Sequence, residues 1–526
     1  GYESKANFTG QFDLGRRFGQ DNAWGVRFNG VKRGGEASLE DGDQGLLMGA
    51  LGVDYRGDRL RWSIDAIHQE DELENIRSQI GWQPDVTELP APPDGDINFY
   101  PGTRLTQRDR TVMSRLEYDF TNNLTGHVAV GYRDGKNRQI FPVTVDPTTG
   151  GRLSVDADGN FHVMTTYYDS YTKTFSSDAG LSAVFETGPV AHRVAFGVTY
   201  LEQEAGNAYT TNPTYVASSI YHPSPIAPGP ADRPDPLKAS DTTLKSFAIA
   251  DTMSFLDDRV LVTLGARRQN VRVDSFDAAG AVTGGYDASA TSPVAGIVVK
   301  PLNNVSLYAN FTEGLTRGTI VGPQYANAGE ALAPFKSRQY ETGIKVDWGN
   351  ITTTAALFQI ERPNGAVQDV TNVYGYFGEQ RNRGVELAAY GEIQPGLRVM
   401  ASASFIQAKL AGTAGGAEDG NRAAGVPSST YNLGVDWDTP WVQGLALNGR
   451  IIRTSSMYLN TANTLSLPGV TRFDVGARYR TRVAGKNVVL RANIENLTDK
   501  RYWLASGSFV TNAAGRTFLV SAEMEF

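Results

Sequence analysis

Apolar and polar positions alternate with a period of two along most of the chain. Over 472–480, Phe473, Val475, Ala477 and Tyr479 alternate with Arg472, Asp474, Arg478 and Arg480. Over 488–495, Val488, Leu490, Ala492 and Ile494 alternate with Val489, Arg491, Asn493 and Glu495. Over 339–348, Tyr340, Ile344, Val346 and Trp348 alternate with Gln339, Glu341, Lys345 and Asp347. Segments 59–68, 111–120, 260–267, 305–312, 397–406 and 431–438 repeat the pattern. Successive side chains of a strand point to opposite faces, so each segment predicts a strand with one apolar and one polar face. Alternation alone does not say which face meets water.

Connection lengths separate the possibilities. Short turns are predicted near 19–22, 57–58, 121–123, 188–190, 256–258, 302–303, 349–350, 394–396, 439–443 and 482–486. Long loops are predicted near 35–45, 73–107, 141–165, 206–241, 277–289, 316–336, 362–373, 410–426, 460–468 and 502–513, with one further tight connection near 4–6. Short and long connections take turns, so all loops of one kind emerge on one side. The pattern predicts an all-β fold: a 22-stranded antiparallel transmembrane β-barrel with short periplasmic turns and long extracellular loops, spanning residues 1–526. Soluble sandwiches and propellers have no reason for such regularity.

Aromatics supply an independent check. Phe18, Tyr55, Phe120, Phe185, Phe255, Trp348, Trp437 and Tyr479 each stand just before a short turn. Rings with apolar bodies suit a membrane interface, so this set is predicted to form one girdle. At the other end of the chain, Phe518, Val520, Ala522 and Met524 alternate with Leu519, Ser521, Glu523 and Glu525 before Phe526. A half-apolar strand there is expected to pair with the first strand and close the barrel.

Composition removes other classes. Charged residues make up 20% and hydrophobic ones 40%, so the chain is not disordered. Its formal net charge of −8 argues against a nucleic-acid binder. No run of about 18 apolar residues is present, which excludes a transmembrane helix but not a barrel strand. Cysteine is absent, so disulfides, thiolate metal sites and a Cys nucleophile are excluded. The first residue is Gly1, which suggests a processed chain or a fragment.

Several stretches resemble the barrel of TonB-dependent outer-membrane siderophore receptors, of the ferrichrome-receptor type. They are Phe311–Leu315; Tyr325–Glu330 with Leu332-Ala333-Pro334; Gln339–Lys345 through Ala356–Ile360; Gly378–Leu387; Ile494–Trp503; and Gly515-Arg516-Thr517 with Phe526. The resemblance covers essentially the whole chain. It implies a Gram-negative outer-membrane location and TonB-dependent uptake of a ferric siderophore, with the hydroxamate type favoured and catecholate and citrate types open. It also implies contact with outer-membrane lipid and lipopolysaccharide, and assembly by the barrel-assembly machinery through the strand ending at Phe526. Such receptors carry an N-terminal plug domain and a TonB-binding segment. Neither is expected in residues 1–526, where Gly1–Ser4 resembles the end of a first strand.

Candidate functional residues follow. The wide lumen of such a barrel is expected to be lined by polar side chains of both signs: Arg61, Asp65, Arg115, Glu117, Glu341, Lys345, Arg472, Asp474, Arg491 and Glu495. They could meet a plug, or simply be the polar lining any wet lumen needs. Solute capture is expected on the long loops, where aromatics cluster: Phe99, Tyr100, Tyr167, Tyr168, Tyr209, Tyr215, Tyr221, Tyr325, Tyr374, Tyr376 and Phe377. Rigid amphipathic rings suit a chelate with an apolar rim, and Arg104, Gln324 and Gln380 could add hydrogen bonds. The same rings could instead pack the loops together.

Other chemistry is thin. His222 beside Tyr221 could serve as a haem ligand, but an incidental loop histidine explains it as well. Asp156–Asn160 opens like a calcium loop, yet Phe161 and Tyr167 stand where Gly and Glu are needed, which favours a hairpin turn. No metal site, no cofactor and no catalytic motif is found, which argues against an enzyme. The alternatives that stay open are a passive outer-membrane channel, a receptor for haem or another large solute, and a surface binding protein.

Overall fold

The computed structural model describes every residue except 76–78, 150, 152–153, 317, 322–324, 329, 369–370 and 508. Twenty-two antiparallel strands join into one closed sheet. Each strand pairs with its sequence neighbour, and the two-residue strand Tyr2–Glu3 closes the ring. Tyr2 lies opposite both Phe8 and Val520, and Glu3 opposite both Asn7 and Leu519. The Arg33–Glu3 ion pair at 2.8 Å reinforces the closure. Closure leaves no sheet edge for the membrane to solvate.

All ten short turns fall where the sequence puts them. In one of the two-residue turns, Val483 pairs with Lys486 across Ala484 and Gly485. Both turn residues have positive φ (50° and 80°), the primed turn whose twist matches the flanking strands. At another, Gly349 at φ 89° donates its N–H to Asp347 Oδ1 at 2.8 Å.

Opposite faces differ in chemistry. One carries half-exposed apolar side chains such as Phe12, Leu14, Leu51, Val128, Phe247 and Ile249. In a closed barrel crossing a bilayer this face is the outer one, and the alternate, polar face lines the lumen. The girdle gains Trp24, whose ring lies 5.0 Å from Tyr55, and Trp441, 4.9 Å from Trp437.

Long connections depart from expectation. Asn160–Thr187 has 28 residues and Val190–Ser219 has 30. At about 3.3 Å per residue these run roughly 90–100 Å, about three times the hydrocarbon thickness. The predicted loops 206–241, 277–289 and 362–373 are therefore more than half strand, and both ends of 141–165 are strand. Strands run on to Val145, Ser219, Phe276 and Gln368, leaving short tips such as 277–281. Above the membrane neither face meets lipid, so alternation fades while the backbone ladder continues, as at Lys136↔Tyr171 and Tyr171↔Gly206.

The largest buried cluster lies in these extracellular parts. It unites Ile80, Val155, Phe161, Ile220, Leu459 and Val510, among others, from five connections.

Candidate functional site

Five connections fold together into a cap over part of the mouth. The segment 75–103 lies against two small hairpins, Met457–Tyr458 with Ser466–Leu467 and Trp503–Ser506 with Phe509–Asn512. Trp503 sits at the centre, 5% exposed, with its ring 5.7 Å from Trp82 and 6.0 Å from Phe99. Polar groups fix the register. Trp503 Nε1 donates to Pro90 O at 3.0 Å. Asn512 Nδ2 donates to Asp94 O and Ile97 O at 2.9 and 3.0 Å. Arg501 pairs with Asp94.

This cap absorbs some of the predicted binding residues. Phe99 and Tyr100 are 2% exposed and present no surface to a solute; burial pushes the Tyr100 phenol far up. They hold the loops together, the other reading the sequence allowed. Tyr221 is half-buried and donates to Ala91 O at 2.7 Å. Asp156 caps a hairpin tip, accepting from Asp158 N–H and Asn160 N–H at 3.0 and 2.8 Å. His222 is exposed beside Tyr221.

The hairpin of the two longest strands carries the next group. Tyr167 lies under the Arg233 guanidinium, 4.4 Å from ring centroid to carbon. Arg233 in turn donates twice to Asp169, at 2.7 Å each. Burial opposes ionisation of that carboxyl. Arg233, the Gln139 N–H and the charge of Arg138 together outweigh burial and hold Asp169 below the usual carboxylate range. The clip fastens 220–236 to the hairpin. Tyr168 and Tyr209 are cross-strand partners, 37% and 50% exposed, with rings 6.2 Å apart. They project from the face of the hairpin opposite to Phe161, Val163 and Tyr167, which meet the cap and the 220–236 segment. Tyr215 is half-exposed, edge-on to His162.

A separate flap forms the third group. Tyr325 stacks on Tyr374 at 5.1 Å, and Phe335 meets Tyr376 edge-on at 4.8 Å. Asn327 donates to Tyr374 O and accepts from Tyr374 N–H. Tyr376 Oη accepts from Thr319 N–H at 3.1 Å. The Phe377 ring covers Gly375, where a Cβ would lie 2.9 Å from it. Gln380 is nearly buried, donating to Asn382 Oδ1 and accepting from Arg362. Gln324 lies outside the described residues. Arg104 begins its strand and pairs with Glu74.

The polar face carries ion-pair ladders. Arg61 bridges Glu117 at 2.7 Å and Asp119 at 2.6 Å, and Arg115 reaches Glu117 at 3.3 Å. Asp474 accepts from Arg450, Arg472 and the Asn496 N–H, while Glu495 lies 3.5 Å from both guanidiniums. Arg491 pairs with Glu523 at 2.8 Å. Glu341 accepts from Tyr308 Oη at 2.7 Å; Lys345 and Asp65 share this face.

Residues 54–497 match the family model described as TonB dependent receptor-like, beta-barrel. The chain belongs to the TonB-dependent receptor family. Along its whole length it is 35% identical to the ferrichrome receptor FcuA of Yersinia enterocolitica, covering 70% of that protein. It is 26% identical to the probable TonB-dependent siderophore receptor PiuA of Acinetobacter baumannii over 78% of this chain and 60% of that one. Among solved structures, the ferric preacinetobactin receptor BauA of A. baumannii superposes on the whole receptor barrel with a TM-score of 0.88 at 32% identity, covering 78% of BauA. The fold places this receptor barrel in a Gram-negative outer membrane.

The loop core was missed at sequence level. Its signal was present in short apolar runs inside predicted loops, such as Leu465–Leu467 and Phe509-Val510, set aside as connections.

Proposed function

We propose that this barrel captures a ferric siderophore of hydroxamate type at its extracellular mouth and conducts it across the outer membrane. The observation that carries the reading is the 35% identity to a ferrichrome receptor along the entire chain. Tyr168, Tyr209 and Tyr215 offer exposed rings along the tall hairpin, suited to the apolar rim of a chelate. The flap rings at Tyr325, Tyr374, Tyr376 and Phe377 are the second contact surface. The plug and the TonB-binding segment come from outside residues 1–526, and the ion-pair ladders of the lumen face are the plug's docking wall. Lipopolysaccharide meets the outer face just above the apolar band. There Lys336, Arg338, Arg381 and Arg383 share the face of Tyr340 and Leu357. The barrel-assembly machinery engages the strand that ends at Phe526.

The test is uptake of ⁵⁵Fe-ferrichrome by iron-starved cells whose only ferrichrome receptor is this protein. Saturable binding and uptake are expected, both reduced by Tyr168→Ala with Tyr209→Ala. A native receptor that shows neither refutes the reading. Diffusive permeability without saturation would support the passive channel instead.

A further inference from the structure

The lumen wall is not uniform around the ring. From Val470 through the closure to Thr121, its inner side is braced by ion pairs: Arg450–Asp474 at 2.6 Å, Arg491–Glu523 at 2.8 Å, Arg17–Asp54 at 2.9 Å and Arg61–Asp119 at 2.6 Å. On the strands Val305–Thr316 to Ser429–Asp438 the mid-height inner wall carries mostly small side chains, while a second hollow of about 660 Å³ lies on the other side, at Asp65, Arg115, Asp178 and Gln269. One cross-strand row reads Lys345, Thr354, Ala388, Ser402 and Asn432, and the next Gly343, Ala356, Glu386, Ser404 and Thr430. From these rows Lys345, Thr354, Ala388, Ser402, Ala356, Glu386, Ser404 and Thr430, with Tyr308 and Glu341, line an open hollow of about 740 Å³, within the range of small-molecule sites, about 300–1,000 Å³.

The mouth is asymmetric in the same direction. The cap also ties down 412–428, through Gly425 N–H to Tyr458 O at 2.7 Å and Asn421 Nδ2 to Thr461 O at 2.9 Å. The flap closes on itself, through Ala326 N–H to Asn372 O at 2.8 Å, and supplies no described member of the buried cap cluster. It stands on the strands between Val305 and Gln394, directly above the hollow.

We propose that solute passes off-centre, between cap and flap, and pauses in the hollow at Glu341, Glu386 and Lys345. Resting on the siderophore reading above, this gives the barrel a second, transit site midway down the wall. Its two carboxylates and one ammonium leave a net charge of −1. Such a site accepts a neutral or cationic chelate and repels an anionic one. Three hydroxamates balance Fe³⁺, whereas three catecholates leave three negative charges in excess. The hollow thus selects hydroxamate over catecholate after capture, independently of the loops.

The chain has no cysteine, so single thiols can report without background. In the whole receptor in its outer membrane, Ser402→Trp and Ala388→Trp should lower ⁵⁵Fe-ferrichrome uptake at least tenfold and leave surface binding within twofold. Ser402→Cys should be labelled by a maleimide at least threefold more slowly while ferrichrome is being taken up. The same thiol should react at least fivefold faster with a cationic than with an anionic methanethiosulfonate reagent, relative to a free thiol, and Glu386→Lys should reverse that preference. Normal uptake in the tryptophan variants at normal surface abundance would overturn the proposal. So would labelling indifferent to ferrichrome. A reagent ratio equal to that of a free thiol would overturn the charge assignment. Where a tryptophan variant fails to reach the membrane, the cysteine variant decides. A native receptor that binds no ferrichrome fails the functional reading itself, a distinct outcome.

Discussion

Replacing Trp503 with alanine should loosen the extracellular cap and leave the barrel wall intact. The indole is 5% exposed, touches Trp82 and Phe99, and donates to Pro90 O. A buried indole removes about 200–250 Å² from water, which at about 25 cal/mol per Å² is roughly 5–6 kcal/mol as an upper bound. Truncations of this kind measure about 3–5 kcal/mol. A tenfold change takes about 1.4 kcal/mol, so the opening equilibrium of the cap rises by roughly two to nearly four orders of magnitude. Local opening is read by cleavage of the exposed segment. The assay is limited proteolysis within 75–103 on intact receptor, with the heat-modifiable gel shift of the barrel followed in parallel. Leu504→Ala is the control, since its neighbouring side chain is 42% exposed on the opposite face of the hairpin. Cleavage of Trp503→Ala within twofold of the native rate would refute the cap as a packed unit. Barrel melting in step with the cap would refute its independence.

Asp169→Asn should free the clip on 220–236, because it leaves the Arg233 guanidinium without its carboxylate; hydrogen exchange across 220–236 reports it. The folded-state pKa of Asp169 is depressed, so the clip's stabilisation is present above the unfolded value, about 3.9. It is lost as pH falls further, and exchange there should accelerate below about pH 4 before the strands do. Val128→Arg places a cation on the lipid face and should destabilise the barrel by about 2–4 kcal/mol in urea titrations. Ala129→Arg, on the lumen face, should cost much less. Asp474→Ala strands two guanidiniums and a buried Asn496 N–H, costing about 3–5 kcal/mol by the same titration. Asp474→Asn should fall between.

Much of the barrel was legible because its rule is local. Val128 and Ala129 face different media, and a period of two reports that difference at every residue of a membrane-spanning strand. Short turns were legible for a related reason: Ala484-Gly485 and Gly349-Asn350 supply the positive φ that a tight reversal demands. The lumen residues followed from the same alternation, and the structure brings Arg61, Arg115 and Glu117 together, as it does Arg472, Asp474 and Glu495.

The proposed capture surface was legible only as a list of aromatics. Tyr168 and Phe99 look alike in sequence, a ring in a polar connection. One lies exposed on the tall hairpin and the other is sealed beneath Trp503, some 400 residues away. By itself the sequence determined the strand number, the two faces and the side on which the long connections emerge, since each rests on a residue and its immediate neighbours. Tertiary structure decided which rings pack into the cap and which stay exposed, and where the ion pairs cluster around the ring. Those depend on contacts between segments far apart in the chain, which only closure of the barrel brings within reach.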